Sequence, residues 1–207
     1  METETAVAGV PAAYGRDGRS AAGDSFPADR SFDSLLTAAR SGAERAWIEL
    51  YRAFSPAVLG YLRGQAAPEP EDLTGEVFLQ VVRDLHRFQG DRAAFKAWVL
   101  AIAHHRFIDQ RRRSRRRPVE LVAVPEDPGR AAPDAEVEAL ALLGTARVRE
   151  LLAALSPDQR AVLLLRIVGD LSGEQIGRVL GKRPGAVKAL QRRGLAALAR
   201  MLAKEAA

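Results

Sequence analysis

The chain has 207 residues, enough for one large domain or two small ones, and carries a formal net charge of +5 at pH 7. It contains no cysteine, which excludes disulfides, thiolate nucleophiles and cysteine-bound zinc. No apolar run approaches the roughly 20 residues that a membrane span needs, and residues 1–30 lack the pattern of a secretion signal. We therefore expect a cytoplasmic protein that is not inserted in a membrane.

The first part of the chain divides into two contrasting segments. Residues 1–30 are rich in Ala, Gly, Ser and Pro and show no periodicity, which predicts a disordered tail. From Ser31 onward, apolar residues recur at spacings of three and four, the pattern of packed amphipathic helices. These residues include Phe32, Leu36, Trp47, Leu50, Phe54, Val58 and Leu62.

A better-defined helix is predicted from Pro70. Proline suits a first helical position, and Glu71 and Asp72 place negative charge in the first turn, where it is favourable. One face is apolar and is expected to pack in a core; it contains Leu73, Val77, Phe78, Val81, Val82 and Leu85. The opposite face is polar and carries Asp72, Glu76, Gln80, Arg83 and Asp84.

Another stretch with helical spacing follows a short polar loop predicted from His86 to Ala94. Its apolar stripe begins with Phe95 and Trp98, and its end holds seven arginines between Arg106 and Arg117, with Asp109 as the single acid. Basic side chains interleaved with aromatic ones suit phosphates and unstacked bases. This helix is therefore a candidate nucleic-acid contact, although a tryptophan such as Trp98 is more often a core residue than a contact residue.

The composition reverses immediately after this basic cluster. Between Pro118 and Leu140 lie four of the eleven prolines and six acidic residues, with Arg130 as the single base. Such a proline-rich acidic stretch is typical of a solvated linker. We therefore predict two modules, 31–117 and 137–204, joined by a flexible acidic linker at 118–136.

The second predicted module contains two capping motifs that mark helix starts. Ser156-Pro157-Asp158-Gln159 supplies an N-cap, a first-position proline, an acid and a capping-box glutamine. Ser172 and Gln175 form a second capping box, which opens a short helix through Leu180. No strand-like alternation of useful length appears anywhere, so the expected fold is all-α.

The short helix, the turn at 181–183 and a helix opening at Pro184 have the proportions of a helix-turn-helix. From Arg178 to Lys204 there are eight basic residues and no acid, which suits a recognition helix with phosphate contacts. A helical wheel puts Leu190, Gly194, Ala197 and Leu198 on a packing side and Gly185, Lys188, Ala189, Arg192 and Ala196 on an outward side. The alternative is a solvated basic helix in an ordinary bundle.

Taken in order, these segments resemble the extracytoplasmic-function (ECF) sigma factors of bacterial RNA polymerase. The string from Pro70 to Phe88 is similar to the family's core-polymerase-binding helix, and the string from Phe95 to Arg113 is similar to its promoter-melting, minus-ten-reading helix. Leu155–Arg166 and the helix-turn-helix after it resemble the module that reads the minus-thirty-five element. The resemblance covers about 31–204 and implies an alternative sigma factor that is not an enzyme and holds no metal or cofactor.

The resemblance also implies contact residues and partners. Core-polymerase binding is assigned to Asp72, Glu76, Phe78, Gln80, Arg83 and Phe88. Minus-ten DNA binding is assigned to Gln89, Arg92, Trp98, His105, Asp109, Arg112 and Arg113. Minus-thirty-five DNA binding is assigned to Arg183, Lys188, Arg192 and Arg193. The implied partners are the β and β′ subunits of core RNA polymerase, promoter DNA and an anti-sigma factor.

Two positions depart from the family pattern. His105 stands where the family usually has asparagine, which affects the expected minus-ten contact. Gly75 replaces a common glutamine beside Glu76, and a glycine in a helix interior costs roughly 1 kcal/mol.

Functions from two other classes compete with this interpretation. A response-regulator type of activator would share the helix-turn-helix, but it needs an N-terminal βα receiver with acidic phosphoacceptors, and no such pattern is visible. A nuclease could use Asp72, Glu76 and His86 from one helical face, but no second carboxylate cluster accompanies them, and a solvated charged face explains them better. We therefore prefer the sigma-factor interpretation.

Overall fold

The computed structural model of the protein describes residues 27–116 and 146–205, and within these ranges it contains helices and no strand, which confirms the all-α prediction. The first range, called the first module below, contains α1 (Pro27–Arg40), α2 (Glu44–Gly64), α3 (Pro70–Asp84), a 3-10 turn (Leu85–Arg87) and α4 (Arg92–Arg116). The second range, called the second module, contains α5 (146–153), α6 (Pro157–Ile167), α7 (Gly173–Leu180) and α8 (Pro184–Glu205). The predicted linker at 118–136 lies outside the described residues.

The start of α1 differs from the sequence-based boundary. α1 begins at Pro27, inside the segment 1–30 that the sequence assigns to a tail. Proline is favourable at a first helical position, and the buried side chains of Phe32 and Leu36 hold the helix against its neighbours. The rest of the predicted tail, 1–26, lies outside the described residues.

The start of α4 also lies upstream of its predicted position. Its first residue is Arg92, inside the polar loop predicted from His86 to Ala94. Asp91 explains the difference, because its Oδ1 accepts a hydrogen bond of 2.7 Å from the backbone nitrogen of Ala94, as an N-cap does. The non-helical loop is therefore limited to 88–91.

A cluster of aromatic rings joins the helices of the first module. The ring centroid of Phe95 on α4 lies 4.9 Å from that of Phe54 on α2, 5.6 Å from that of Phe32 on α1 and 5.1 Å from that of Phe88. Edge-to-face pairs of this kind add about 0.5–1.5 kcal/mol each to the free energy of area burial. This cluster fixes α4 relative to α1 and α2.

Both predicted capping boxes are confirmed. The Oγ of Ser156 accepts from the backbone nitrogen of Gln159 at 3.3 Å, and Oε1 of Gln159 accepts from the backbone nitrogen of Ser156 at 3.1 Å. Ser172 and Gln175 make the same reciprocal pair at 3.2 and 2.8 Å. Since each cap is worth roughly 0.5–2 kcal/mol, these motifs determine where α6 and α7 begin.

Two glycines shape the turn between α7 and α8. Gly181 ends α7 with φ of +62°, in the left-handed region that glycine adopts without strain. Gly177 has no room for a side chain, because a Cβ there would lie 2.6 Å from the carbonyl oxygen of Lys182. The close approach brings α8 across α7, and the predicted helix-turn-helix is present.

The two modules are in contact in this structure. α7 packs against α4, α6 packs against α2, and the buried side chains of both modules form one apolar cluster. Leu100 of α4, for example, is 1% exposed and reaches the chain at Gly169 of the second module. The sequence predicts two modules but not this contact between them.

A chain of polar side chains is buried where α2 meets α4. The hydroxyl oxygen of Tyr61 lies 2.7 Å from Nδ1 of His104, and Nε2 of Gln65 donates to the same hydroxyl oxygen at 3.1 Å. Burial is the main cause that lowers the pKa of His104 to about 4, and the charge of His105 contributes in the same direction. Burial raises the pKa of Tyr61, so its hydroxyl stays protonated. The hydroxyl can therefore donate a hydrogen bond to Nδ1 of neutral His104.

We expect His104 to make the protein less stable in acid. The pKa of His104 in the folded protein is about 4, below its ordinary value of 6.5. Neutral His104 therefore makes its full contribution to the free energy of unfolding above about pH 6.5, and this contribution is lost as the pH falls towards 4. Between about pH 7 and pH 5 the loss is roughly 2 kcal/mol. Carboxylates titrate in part of this range, so the measurement is a comparison of denaturant unfolding for wild type and His104→Asn. An equal loss of unfolding free energy in the two proteins would contradict this role of His104.

Candidate polymerase and promoter interfaces

One face of α3 is exposed along the length of the helix. Asp72, Glu76, Leu79 and Arg83 follow one another at steps of four, three and four residues, so they form one row, and all are exposed. The structure thus brings together three residues of the predicted polymerase-binding set. It adds Leu79, which the sequence analysis did not single out and which is 59% exposed at the centre of the row.

The apolar centre of this face is larger than one side chain. Val82 is 51% exposed one turn after Leu79, and Tyr51 of α2 is 47% exposed beside α3, with its ring centroid 4.7 Å from that of Phe78. The apolar stripe predicts that Val82 lies on the core side, and the structure corrects this prediction, because the buried face of α3 is narrower than the stripe. An apolar patch with a charged rim is typical of a surface that binds another protein.

Two residues of the predicted polymerase-binding set also connect α3 to α4. Nε of Arg106 donates to Oε1 of Gln80 at 2.8 Å, and Nη1 of Arg106 lies 3.6 Å from Oε2 of Glu76. Gln80 is half-buried, whereas the side chain of Glu76 is 53% exposed. Gln80 is therefore a poorer contact group than its neighbours. Arg106 was not predicted to have this role, because in the sequence Arg106 is only one member of the arginine cluster.

Three aromatic residues assigned to contact sets lie in the core. Phe78, Phe88 and Trp98 are 7%, 4% and 6% exposed. Trp98 stacks on Phe88 with the ring centroids 5.1 Å apart. Burial of such large apolar side chains stabilises the fold by removing them from water. In this structure the three side chains pack beneath the exposed surfaces, and their assignment to polymerase or promoter contacts stays a prediction.

The remaining residues of the predicted minus-ten set are distributed over the loop 88–91 and α4. Those that are exposed are Gln89, Arg92, His105, Arg112 and Arg113. Asp109 is half-buried, and its Oδ1 lies 3.7 Å from Nη1 of Arg112. Partial burial lowers the pKa of His105, and Asp109 opposes this effect. Neutral His105 can donate one hydrogen bond and accept another, as the asparagine usual in the family can.

Arg40 of α1 holds the loop 88–91, which carries Gln89. Nη2 of Arg40 donates to the carbonyl oxygen of Phe88 at 2.6 Å, and Nε donates to that of Leu85 at 3.4 Å. The guanidinium of Arg92 lies 5.3 Å from the ring centroid of Phe54, a cation–π distance. The backbone of this loop is therefore held in place while Gln89 and Arg92 stay exposed.

The predicted minus-thirty-five contacts project from the start of α8. Arg183, Lys188, Arg192 and Arg193 are all exposed. On the other side of the helix Val187 is 1% exposed, and Gly194 is buried where a Cβ would lie 3.0 Å from Cδ1 of Leu163. The side that the helical wheel predicts to face outward is exposed except at Ala189, which is half-buried. On the predicted packing side Gly194 is buried, and the other three residues are half-buried, namely Leu190, Ala197 and Leu198. Basic side chains on an outward face suit a duplex groove.

The geometry bears on both rival functions. A response-regulator receiver requires strands, and the first module is helical over 27–116. For the nuclease hypothesis, His86 lies in the 3-10 turn after α3, where its Nδ1 donates to the carbonyl oxygen of Arg83 at 2.8 Å. Within the described ranges, no three acidic or histidine side chains come together as a metal site would require.

Comparison with known proteins identifies the family. Residues 50–117 match Sigma-70 region 2, and residues 145–198 match Sigma-70 region 4. The ECF RNA polymerase sigma factor ShbA of Streptomyces griseus is 36% identical over 183 residues, which cover 83% of this chain and 95% of that protein. The chain belongs to the ECF sigma factors. Its two modules correspond to the two matched regions.

Two solved structures share the fold of this sigma factor. CnrH, solved in complex with the cytosolic domain of CnrY, has a TM-score of 0.62 and 24% identity, covering 86% of this chain and 99% of CnrH. RpoE of Bartonella quintana, solved in complex with the anti-sigma factor NepR, has a TM-score of 0.56 and 21% identity, covering 74% and 94% of the two chains. The described helices of this sigma factor include none that is long and apolar enough to cross a membrane.

Proposed function

We propose that this sigma factor binds core RNA polymerase through the exposed row on α3 and directs it to promoters whose minus-ten and minus-thirty-five elements are contacted by α4 and α8. The observation that carries the proposal is the row itself, with Asp72, Glu76 and Arg83 around an exposed Leu79. A leucine that is 59% exposed on a well-packed helix leaves apolar surface for a partner to cover. We assign this surface to the β′ subunit.

DNA contacts are divided between the modules according to their chemistry. The exposed cations of α8 are held on a rigid helix, as reading the major groove requires. Gln89, Arg92, His105 and the arginines at the end of α4 combine hydrogen-bonding and cationic groups, as contacts with melted strands require. Family membership supports this division. The second module is also proposed to contact the β subunit.

The role proposed here needs no catalytic group, metal or cofactor in the sigma factor itself, since the polymerase performs the chemistry. We place the protein in the cytoplasm, where its polymerase partner acts. An anti-sigma factor is a further proposed partner, and it is supported by the solved complex of the similarly folded RpoE with NepR. The exposed row on α3 is a suitable surface for such an inhibitor because covering it would block the polymerase.

Transcription in vitro tests the proposal directly. Purified chain is added to core polymerase that lacks sigma factor, with genomic fragments of the native host as templates, and transcripts are mapped. We expect discrete start sites that depend on the chain. A response-regulator activator would bind DNA alone and would require another sigma factor for transcription. If the chain neither binds core polymerase nor supports any discrete start, the proposed function is wrong.

A further inference from the structure

The last residue of α1 is bonded to the loop that carries Gln89. Arg40 donates from Nη2 to the carbonyl oxygen of Phe88 at 2.6 Å and from Nε to that of Leu85 at 3.4 Å. These bonds join parts of the chain that are 48 and 45 residues apart. Arg40 belongs to none of the assigned contact sets, and it lies before residues 50–117, which match Sigma-70 region 2. A residue outside the matched region therefore contacts the loop 88–91.

Arg40 is attached to a rigid part of the first module. The inner face of α1 is buried in the apolar core, and the helix end is closed by its own backbone. The backbone nitrogen of Ala43 donates to the carbonyl oxygen of Ala38 at 3.0 Å across the last turn. Gly42 lies within this turn with φ of +85°, the left-handed conformation usual for the glycine that follows a helix. The guanidinium of Arg40 is thus held on a fixed base.

Contacts at both ends fix the loop around Gln89. At one end, Arg40 bonds the carbonyl oxygen of Phe88, whose side chain is 4% exposed and packed in the aromatic cluster. At the other end, Asp91 caps the first turn of α4. Gly90 between them has φ of +145°, which residues with a side chain rarely adopt. Gln89 is exposed on this fixed backbone and points away from the bonds that hold it.

An amide side chain needs a fixed backbone to distinguish one base from another. Glutamine can donate to an adenine and accept from it at the same time, but only when both bonds are aligned. A loop that must be ordered on binding loses affinity, about 5- to 30-fold for each residue whose backbone is ordered. The planar guanidinium of Arg40 bonds two carbonyl oxygens at once, so it restricts the loop before any base arrives.

We propose that Arg40 is a positioning residue for minus-ten reading, because it holds the loop 88–91 in the conformation in which Gln89 meets an unstacked promoter base. The inference rests on the proposed function. It extends the machinery for promoter reading to α1, through a residue that acts on the loop and not on the DNA. Removal of Arg40 is therefore expected to change the choice of base and to leave the polymerase-binding row on α3 unaffected.

Binding of the holoenzyme to a set of promoter fragments tests the proposal. Holoenzyme is reconstituted from core polymerase and the full chain, and the fragments have an unpaired non-template strand at the minus-ten element of a mapped start site. Each of the four bases is placed at every position of this element in turn. Gln89→Ala identifies the position that Gln89 reads. Arg40→Met removes the donors of Arg40 but keeps its length. Arg45→Met, at an exposed arginine of α2 that belongs to no assigned contact set, is the matched control.

We expect Arg40→Met to lower the preference for the favoured base at that position at least about fivefold. Affinity for core polymerase and the salt dependence of promoter binding should match those of wild type, as should all properties of Arg45→Met. Arg40→Lys keeps the charge and one donor, so its base preference should lie between those of wild type and Arg40→Met. In a chain that already carries Gln89→Ala, Arg40→Met should cause no further loss, because the two residues act as one unit.

A direct contact between Arg40 and DNA would give a different result. It would weaken all fragments alike, lower the salt slope by about one and add to the effect of Gln89→Ala, and this result would overturn the proposal. Unchanged base preference in Arg40→Met would overturn it as well.

A second variant covers the case in which Arg40→Met is less helical than wild type. Gly90→Ala displaces the loop backbone, because alanine is strained at a positive φ, and it leaves Arg40 in place. We expect the same loss of base preference, and wild-type preference in this variant would show that the conformation of the loop does not matter for reading. If the wild-type chain fails to bind core polymerase, the proposed function itself has failed.

Discussion

A chain carrying both Asp72→Lys and Leu79→Asp is expected to lose measurable binding to core RNA polymerase. Both residues lie in the exposed row on α3, and Leu79 is 59% exposed at its centre. Central apolar residues of an interface commonly contribute about 2–4 kcal/mol, and reversing a charge in the rim adds to that loss. The combined change corresponds to at least a hundredfold weaker binding, roughly 3 kcal/mol or more. Titration of labelled sigma factor with core polymerase measures it.

The choice of variants keeps folding and binding apart. Both side chains point to solvent, so helicity and the unfolding transition should be close to those of wild type. Glu76 is left in place because its carboxylate lies 3.6 Å from Arg106, and a lysine there would disturb the contact between α3 and α4. Ile48→Asp, a similar change at a residue of α2 that is 42% exposed and belongs to no assigned contact set, is the matched control. Wild-type affinity in the double variant would show that this face of α3 does not bind polymerase.

Arg192→Ala is expected to weaken binding to the upstream promoter element by about 1–3 kcal/mol, or roughly 5- to 150-fold. Arg192 is exposed on α8 one turn after Lys188, and its planar guanidinium can donate to two acceptors of a guanine at once. If it reads a base, the variant also loses preference at one base pair. Binding of duplexes substituted at single positions measures this.

Arg183 is expected to behave differently because it precedes α8 at the turn, where a phosphate contact is favoured. Arg183→Ala should weaken all sequences alike and lower the salt dependence by about one unit of slope. Lys204→Ala removes one charge at the far end of α8 and serves as the control. If Arg183, Lys188, Arg192 and Arg193 can each be replaced without a change in affinity or salt slope, α8 does not enter the groove.

Features encoded by short stretches of sequence were predictable. The capping boxes at Ser156 and Ser172 specify helix starts through bonds to residues three positions away, so reading them needs no knowledge of the rest of the chain. The outward side of α8 follows from helical periodicity in the same way. The family resemblance, which depends on the order of several such motifs, was predictable for the same reason.

Features that depend on how neighbouring helices pack could not be predicted from the sequence. Phe78 and Leu79 are adjacent apolar residues, and only the position of α2 decides that the phenylalanine is buried and the leucine exposed. Trp98 was more consistent with a core residue than with a base contact, but only the structure shows that it packs on Phe88. Gly60 and Gly64 lie four residues apart on α2 and contact side chains of the second module, but a glycine in a helix does not indicate which element packs against it.

The interior of the second module contains no aromatic side chain, so the two modules differ in their spectroscopic signals. Between residues 146 and 205 there is no phenylalanine, tyrosine or tryptophan, whereas both tryptophans, Trp47 and Trp98, lie in the first module. Tryptophan emission therefore reports on the first module alone, while far-ultraviolet dichroism reports on the helices of both. Unfolding followed by the two signals together separates the melting of one module from that of the other, without any label.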